Sequence, residues 1–251
     1  MALFAPTPTR GSHVKKILAS LALIGTLAAP MTASAYVLLG TKWGSPTNGT
    51  SATVNWSLMP TGTNCFVDVN QACTTTALAD FMPAGYMTPL LAAFNAWSAV
   101  AGLTFVQVAD DGAAMDAATS SGDIRIGAHA IDGQNNILAW AYGPGSGIGG
   151  DMIFDPAEAW DLDFSGSGID IFQVMAHELG HALGLDHTGV ANSLMNPFYT
   201  EAFGGPQADD IAGMQYLYGL PVTNGVPEPT TLALVGVAPV TLRLCRRPAA
   251  R

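Results

Sequence analysis

Three of the chain's five histidines fall within one short stretch, AHELGHALGLDH, Ala176 to His187. On a helix His177 and His181 are four residues apart and project from the same face. Two imidazoles so placed can take one zinc ion, and Glu178 between them is positioned to activate a water on that metal. Gly184 lets the chain leave the helix with a positive φ, which brings His187 round as a third ligand and leaves a fourth position open. An open position is what a catalytic zinc needs.

These residues must be held by a core, and the sequence has material for one. Of 251 residues, 49% are hydrophobic and only 11% are charged. The net charge of -10 argues against a nucleic-acid partner, because phosphate binding needs clustered Lys and Arg. SATVNWSLM (Ser51 to Met59) alternates like a half-exposed strand, and MTPLLAAFNAWSAVAG (Met87 to Gly102) carries apolar residues at helical spacing. LTFVQVA, GDIRIGA and NILAWAY read as short strands. After a stretch rich in Gly and Asp come a helix from about Ile169 and a last helix, Ala208 to Gly219, with Asp209 and Asp210 in its first turn. This order predicts an α+β domain with a mixed sheet and three main helices.

Both ends read as addresses. Val14 to Ala35 has a basic start, an apolar run and an A-x-A site, which predicts a secretory signal peptide within residues 1–35 and a mature start at Tyr36. Translation starting at Val14 and a membrane-anchoring helix are the alternatives for this region. The domain then runs over 36–219, with a linker at 220–225 and a tail at 226–251. In the tail Pro227, Glu228 and Pro229 precede an apolar run and an arginine-rich end. Export suits a disulfide between Cys65 and Cys73; the alternative is a thiolate that caps a metal.

HExxH by itself is common on solvated helix faces, whereas the full HExxHxxGxxH resembles the metzincin metalloproteases. SLMNPFY (Ser193 to Tyr199) resembles their Met-turn, with Met195 under the metal. Within that group HELGHALGLDHT, SLMNPFY and DDIAGMQYLYG are most similar to the matrixins, and the likeness extends from about Trp43 to Gly219. It implies a zincin-like fold, a secreted zinc endopeptidase acting on protein or peptide substrates, one catalytic zinc and structural calcium. Asp132, Asp155 and Glu158 fall where the family supplies calcium ligands, and Asp123 and Asp151 match a second calcium. Pro197 and Tyr199 would wall the main substrate pocket, and ILAWAY would be the sheet edge along which substrate lies.

The chain also departs from the family pattern. Trp140 and Ile153 replace two histidines of the family's second, structural zinc, so that site is expected to be lost and His129 is read as a surface histidine. No propeptide cysteine motif precedes Trp43. The tail resembles the PEP-CTERM sorting signal, which implies a signal peptidase, an exosortase, a transient membrane contact and delivery to the surface or exopolysaccharide matrix of a Gram-negative bacterium. The rival reading is a catalytically silent surface protein that kept the fold.

Overall fold

A computed structural model describes residues 2–4 and 36–221 of the chain. The leader pattern of Val14 to Ala35, the Pro227-Glu228-Pro229 tail and Cys245 lie outside the described residues. The chain divides into two units, Met1–Pro221 and Val222–Arg251, and every described element belongs to the first.

In chain order the elements are β1 (Ala2–Phe4), β2 (Val37–Leu38), β3 (Ala52–Leu58), α1 (Phe66–Val69), α2 (Met87–Ser98), β4 (Leu103–Gln107), β5 (Ile124–Ala128), β6 (Ile137–Ala141) and β7 (Met152–Phe154). There follow β8 (Trp160–Asp161), β9 (Ile169–Asp170), α3 (Ile171–Ala182), β10 (Leu185–Asp186) and α4 (Ala208–Tyr218). Six strands make one mixed sheet in the order β1-β6-β7-β5-β3-β4. Within it the pairs β3–β4, β3–β5 and β5–β7 are parallel, while β6 is antiparallel to β7 and β1 is antiparallel to β6. The α+β class read from the element order is the one observed.

Burial explains these assignments. β3 alternates buried and exposed residues at its start, as a strand with one solvated face should, whereas β5 is buried throughout because it lies inside the sheet. α2 buries Leu90, Ala93, Phe94 and Trp97 at three- and four-residue spacing, and its Pro89 sits in the first turn, where no intrahelical N–H bond is lost. It ends at Ser98, earlier than the predicted Gly102. Phe94 stacks on Trp56 with centroids 4.6 Å apart and meets the edge of Phe105 at 4.9 Å, seating α2 on the sheet.

α3 is buried on nearly every face, with only Phe172 less than fully covered. The Trp97 indole donates to the Ala176 carbonyl at 2.9 Å and ties α2 to α3 through the core. At its start the Asp170 carboxylate accepts from the Gln173 amide at 2.6 Å, so the helix begins two residues later than the apolar pattern suggested. Residues Ile169 and Asp170 pair instead with Trp160 and Asp161.

A second, smaller apolar cluster contains Met59, Cys65, Met115 and Ile153, with Trp140 and Cys73 packed against it. Cys65 and Cys73 are joined as a disulfide that closes the loop carrying α1.

Candidate metal centre

Three imidazoles converge at the end of α3. His177 and His181 project from it one turn apart, and His187 follows β10. The turn between them depends on Gly184, whose φ is +112° and where a Cβ would stand 2.4 Å from the Thr41 carbonyl oxygen. An L side chain is excluded there by both conformation and space. The helix end is further held by the Trp43 indole, which donates to the Ala182 carbonyl at 2.8 Å, and by the Tyr218 hydroxyl, which donates to the Leu183 carbonyl at 2.8 Å.

The orientation of the rings identifies what they can bind. His177 donates from Nδ1 to the Leu194 carbonyl at 2.6 Å, and His181 donates from Nδ1 to the Leu185 carbonyl at 2.8 Å. Those bonds put the proton on Nδ1 and leave the Nε2 lone pair facing inward. Yet the His177 Nε2 lies 3.2 Å from Nε2 of His181 and 3.2 Å from Nε2 of His187. Lone pairs at that separation repel one another unless a cation lies between them. Protonation does not supply it: burial pushes the His177 imidazolium down to about 3 and His187 to about 4, and holds His181 well below the usual range. The residues present therefore fit a metal ion, and nitrogen donors at this spacing suit zinc.

Glu178 stands beside them, fully buried, with neither carboxylate oxygen hydrogen-bonded to any described residue. Burial pushes its carboxyl up to about 8. A buried carboxylate with no partner is costly and calls for a function at this position.

Met195 is buried, 2% exposed. It approaches α3 at Gly180, where a Cβ would be 2.4 Å from the Met195 sulfur. The turn bearing Met195 is gripped by Asp210 of α4, whose carboxylate accepts from the Leu194 amide at 2.7 Å, the Met195 amide at 3.1 Å and the Ser193 hydroxyl. Since the Leu194 carbonyl fixes His177, Asp210 acts on the metal centre through the backbone. The sequence pattern marks Asp210 only as a helix-start acid and misses both this role and that of Gly180; the paired Asp209-Asp210 is the available signal.

Beside His177 is a small cavity walled by Gln173, Leu194, Phe198, Tyr199 and Thr200, and closed by Leu3 of β1. The Tyr199 hydroxyl donates to Glu201 and accepts from the Asp170 amide. Pro197 does not line that cavity. β1 lies along β6 as an antiparallel strand, with Ala2 opposite Trp140 and Phe4 opposite Ile137.

The carboxylates read as calcium ligands divide into two groups. Asp132, Asp155 and Glu158 surround one loop: Asp155 accepts from the Asp132, Gly133 and Ala157 amides at 2.9 to 3.2 Å, and Glu158 accepts from the Asn135 amide at 2.8 Å. Burial, with Asp155 and Asp132 nearby, raises the Glu158 carboxyl despite those amides. By contrast, the exposed Asp123 accepts from the Asn55 amide at 2.9 Å, while Asp151 is buried with one oxygen unpartnered and is pushed up to about 8 by burial. Among the described residues only His177, His181 and His187 bring three metal-binding side chains together.

His129 overturns its reading as a surface residue. It is 5% exposed, and its Nε2 donates to the Asp68 carboxylate. Trp140 and Ile153 pack in or against the smaller apolar cluster.

The profile of the family described as Matrixin matches residues 75–219, more than half of the chain. The chain belongs to the matrixin family. It is 40% identical over 156 residues to macrophage metalloelastase of Oryctolagus cuniculus, covering 55% of this chain and 31% of that protein. It is also 41% identical over 151 residues to matrix metalloproteinase-16 of Homo sapiens (55% and 24%) and 38% identical over 161 residues to human neutrophil collagenase (60% and 34%). This matrixin therefore spans only a quarter to a third of the length of those relatives. Matrixins are zinc metalloendopeptidases with a catalytic zinc and structural calcium, and the histidine triad of this one fits the zinc.

Proposed function

We propose that this matrixin is an exported zinc endopeptidase that hydrolyses peptide bonds in extracellular proteins. The observation that carries the reading is the meeting of three histidine Nε2 atoms beside a buried glutamate with no partner. A binding module that had lost catalysis would have no use for so costly a carboxylate.

His177, His181 and His187 hold the zinc, and the chemistry it supplies when bound is Lewis acidity toward a carbonyl and a lowered pKa for water. Glu178 accepts the proton of the attacking water and passes it to the departing amine. Leu194 and Leu185 carbonyls keep the rings turned inward. An extended substrate lies along β6 as an added strand. Support for that mode comes from β1, which pairs with β6 in this way and buries Leu3 beside Tyr199.

Asp132, Asp155 and Glu158 hold a structural calcium, a hard cation that takes oxygen ligands. A second one involves Asp123 and Asp151, the latter with one buried carboxylate oxygen that has no hydrogen-bond partner. The leader within residues 1–35 and the Pro227-Glu228-Pro229 tail add processing by a signal peptidase and an exosortase-type enzyme, with a transient membrane contact on the way to the cell surface or matrix.

The test is zinc content and cleavage of quenched casein or gelatin, with Glu178→Ala beside wild type. One zinc per chain in both, with cleavage reduced by about 10²- to 10⁴-fold in the variant, is the expected result. Equal cleavage would remove Glu178 from the mechanism.

A further inference from the structure

In the sheet β6 lies between β1 and β7, and once β1 gives way to an incoming segment it is held from one side only, by β7, a strand of three residues. An edge so lightly paired needs another restraint if it is to present a fixed ladder to an incoming segment. Asp68 supplies one. It lies on α1, within the loop closed by Cys65 and Cys73, and its side chain is fully buried. Its carboxylate accepts from the Trp140 indole N–H at 3.2 Å, from the Tyr142 hydroxyl and from His129 Nε2. Trp140 is in β6 and Tyr142 is its continuation, two residues apart and so on the same face of an extended chain. His129 follows β5, so one carboxylate joins two parts of the sheet to a disulfide-bound loop. Bonds to a charged acceptor are shorter and about twice as strong as neutral ones, and burial keeps water from competing.

We infer that Asp68 is a positioning residue for proteolysis: by gripping Trp140 and Tyr142 it fixes the register and tilt of β6, the strand along which the substrate backbone is bound. It touches no reacting atom. The inference rests on the proposal that substrate adds to β6 as a strand. It predicts that substrates long enough to run along β6 depend on Asp68, while those too short to reach it do not.

The experiment compares full-length wild type, Asp68→Ala and Tyr142→Phe on two quenched peptides, one spanning β6 and one too short to reach it, with zinc content measured in each. In Asp68→Ala, KM for the long peptide should rise roughly fivefold to tenfold, with kcat and zinc content kept and the short peptide unaffected. Tyr142→Phe should give part of that rise and add nothing when combined with Asp68→Ala. A loss shared equally by both peptides, or no change in KM, would overturn the inference. The long peptide's affinity, compared in Glu178→Ala with and without Asp68→Ala, tests the grip without catalysis. Should wild type cleave nothing, the hydrolase reading fails, while equal affinities there would sink the role of Asp68.

Discussion

Glu178 is a group that the proposed hydrolysis requires and folding resists. Its carboxyl is raised from 4.5 to about 8 by burial, so in the metal-free protein the folded state binds a proton that the unfolded state has released. Stability therefore falls as pH rises from 4.5 through about 8, because wherever the folded state holds more protons, raising the pH favours unfolding. Glu178→Gln removes that dependence. In melts with a zinc chelator the variant should match wild type near pH 4 and exceed it near pH 8, by something on the order of 1–3 kcal/mol. Wild type equal to the variant at both ends would mean that the carboxylate has found a partner in solution. The convergence of the histidines beside this glutamate was legible in the sequence because helical spacing alone puts His177 and His181 on one face. The partner of His129 was not legible: Asp68 lies 61 residues earlier, and no local pattern links them.

Among the elements, α4 has a larger role than the two acids in its first turn suggested. Through Asp210 it holds the amides of Leu194 and Met195, and through them the ring of His177. Asp210→Ala takes the acceptor from the buried Leu194 amide and leaves the Met195 amide only the Ser193 hydroxyl, and changes of this kind behind a ligand typically weaken metal binding by about 10- to 100-fold. Competition with a zinc-binding dye should show that loss with α4 still folded by circular dichroism. Unchanged affinity would mean that the turn keeps its shape without Asp210. The existence of α2, α3 and α4 and the bounds of α4 were legible, whereas the end of α2 and the start of α3 were not. Asp170 caps α3 after a short strand pairing that only the tertiary fold creates, and α2 stops at Ser98 where the chain turns back into β4. β1 was invisible for a similar reason, since three residues carry no period and its strand state comes entirely from pairing with β6.

For the molecule as a whole, acidity and metal dependence are connected. The negative balance of the chain includes Asp132, Asp155 and Glu158 gathered at one loop, and like charges held together favour unfolding unless a cation neutralises them. Calcium that binds only the folded state stabilises it by mass action. A calcium-selective chelator should lower Tm by several degrees, and calcium in excess should restore it. A Tm insensitive to both would mean that these carboxylates hold no calcium.

Until the leader that carries it is removed, the strand β1 makes this matrixin its own competitor. A segment joined to the cleft that it fills meets it at an effective concentration in about the millimolar range, however dilute the protein. Any substrate of the unprocessed chain must first win that contest, so its initial rates should depend on how firmly Leu3 is seated beside His177. Leu3→Asp, which places a charge in an apolar cavity, should empty the cleft and lower the apparent KM with little effect on kcat. Identical KM values would mean that the strand departs too freely to matter. If KM falls, the turnover of the intact chain measures vacancy as much as catalysis.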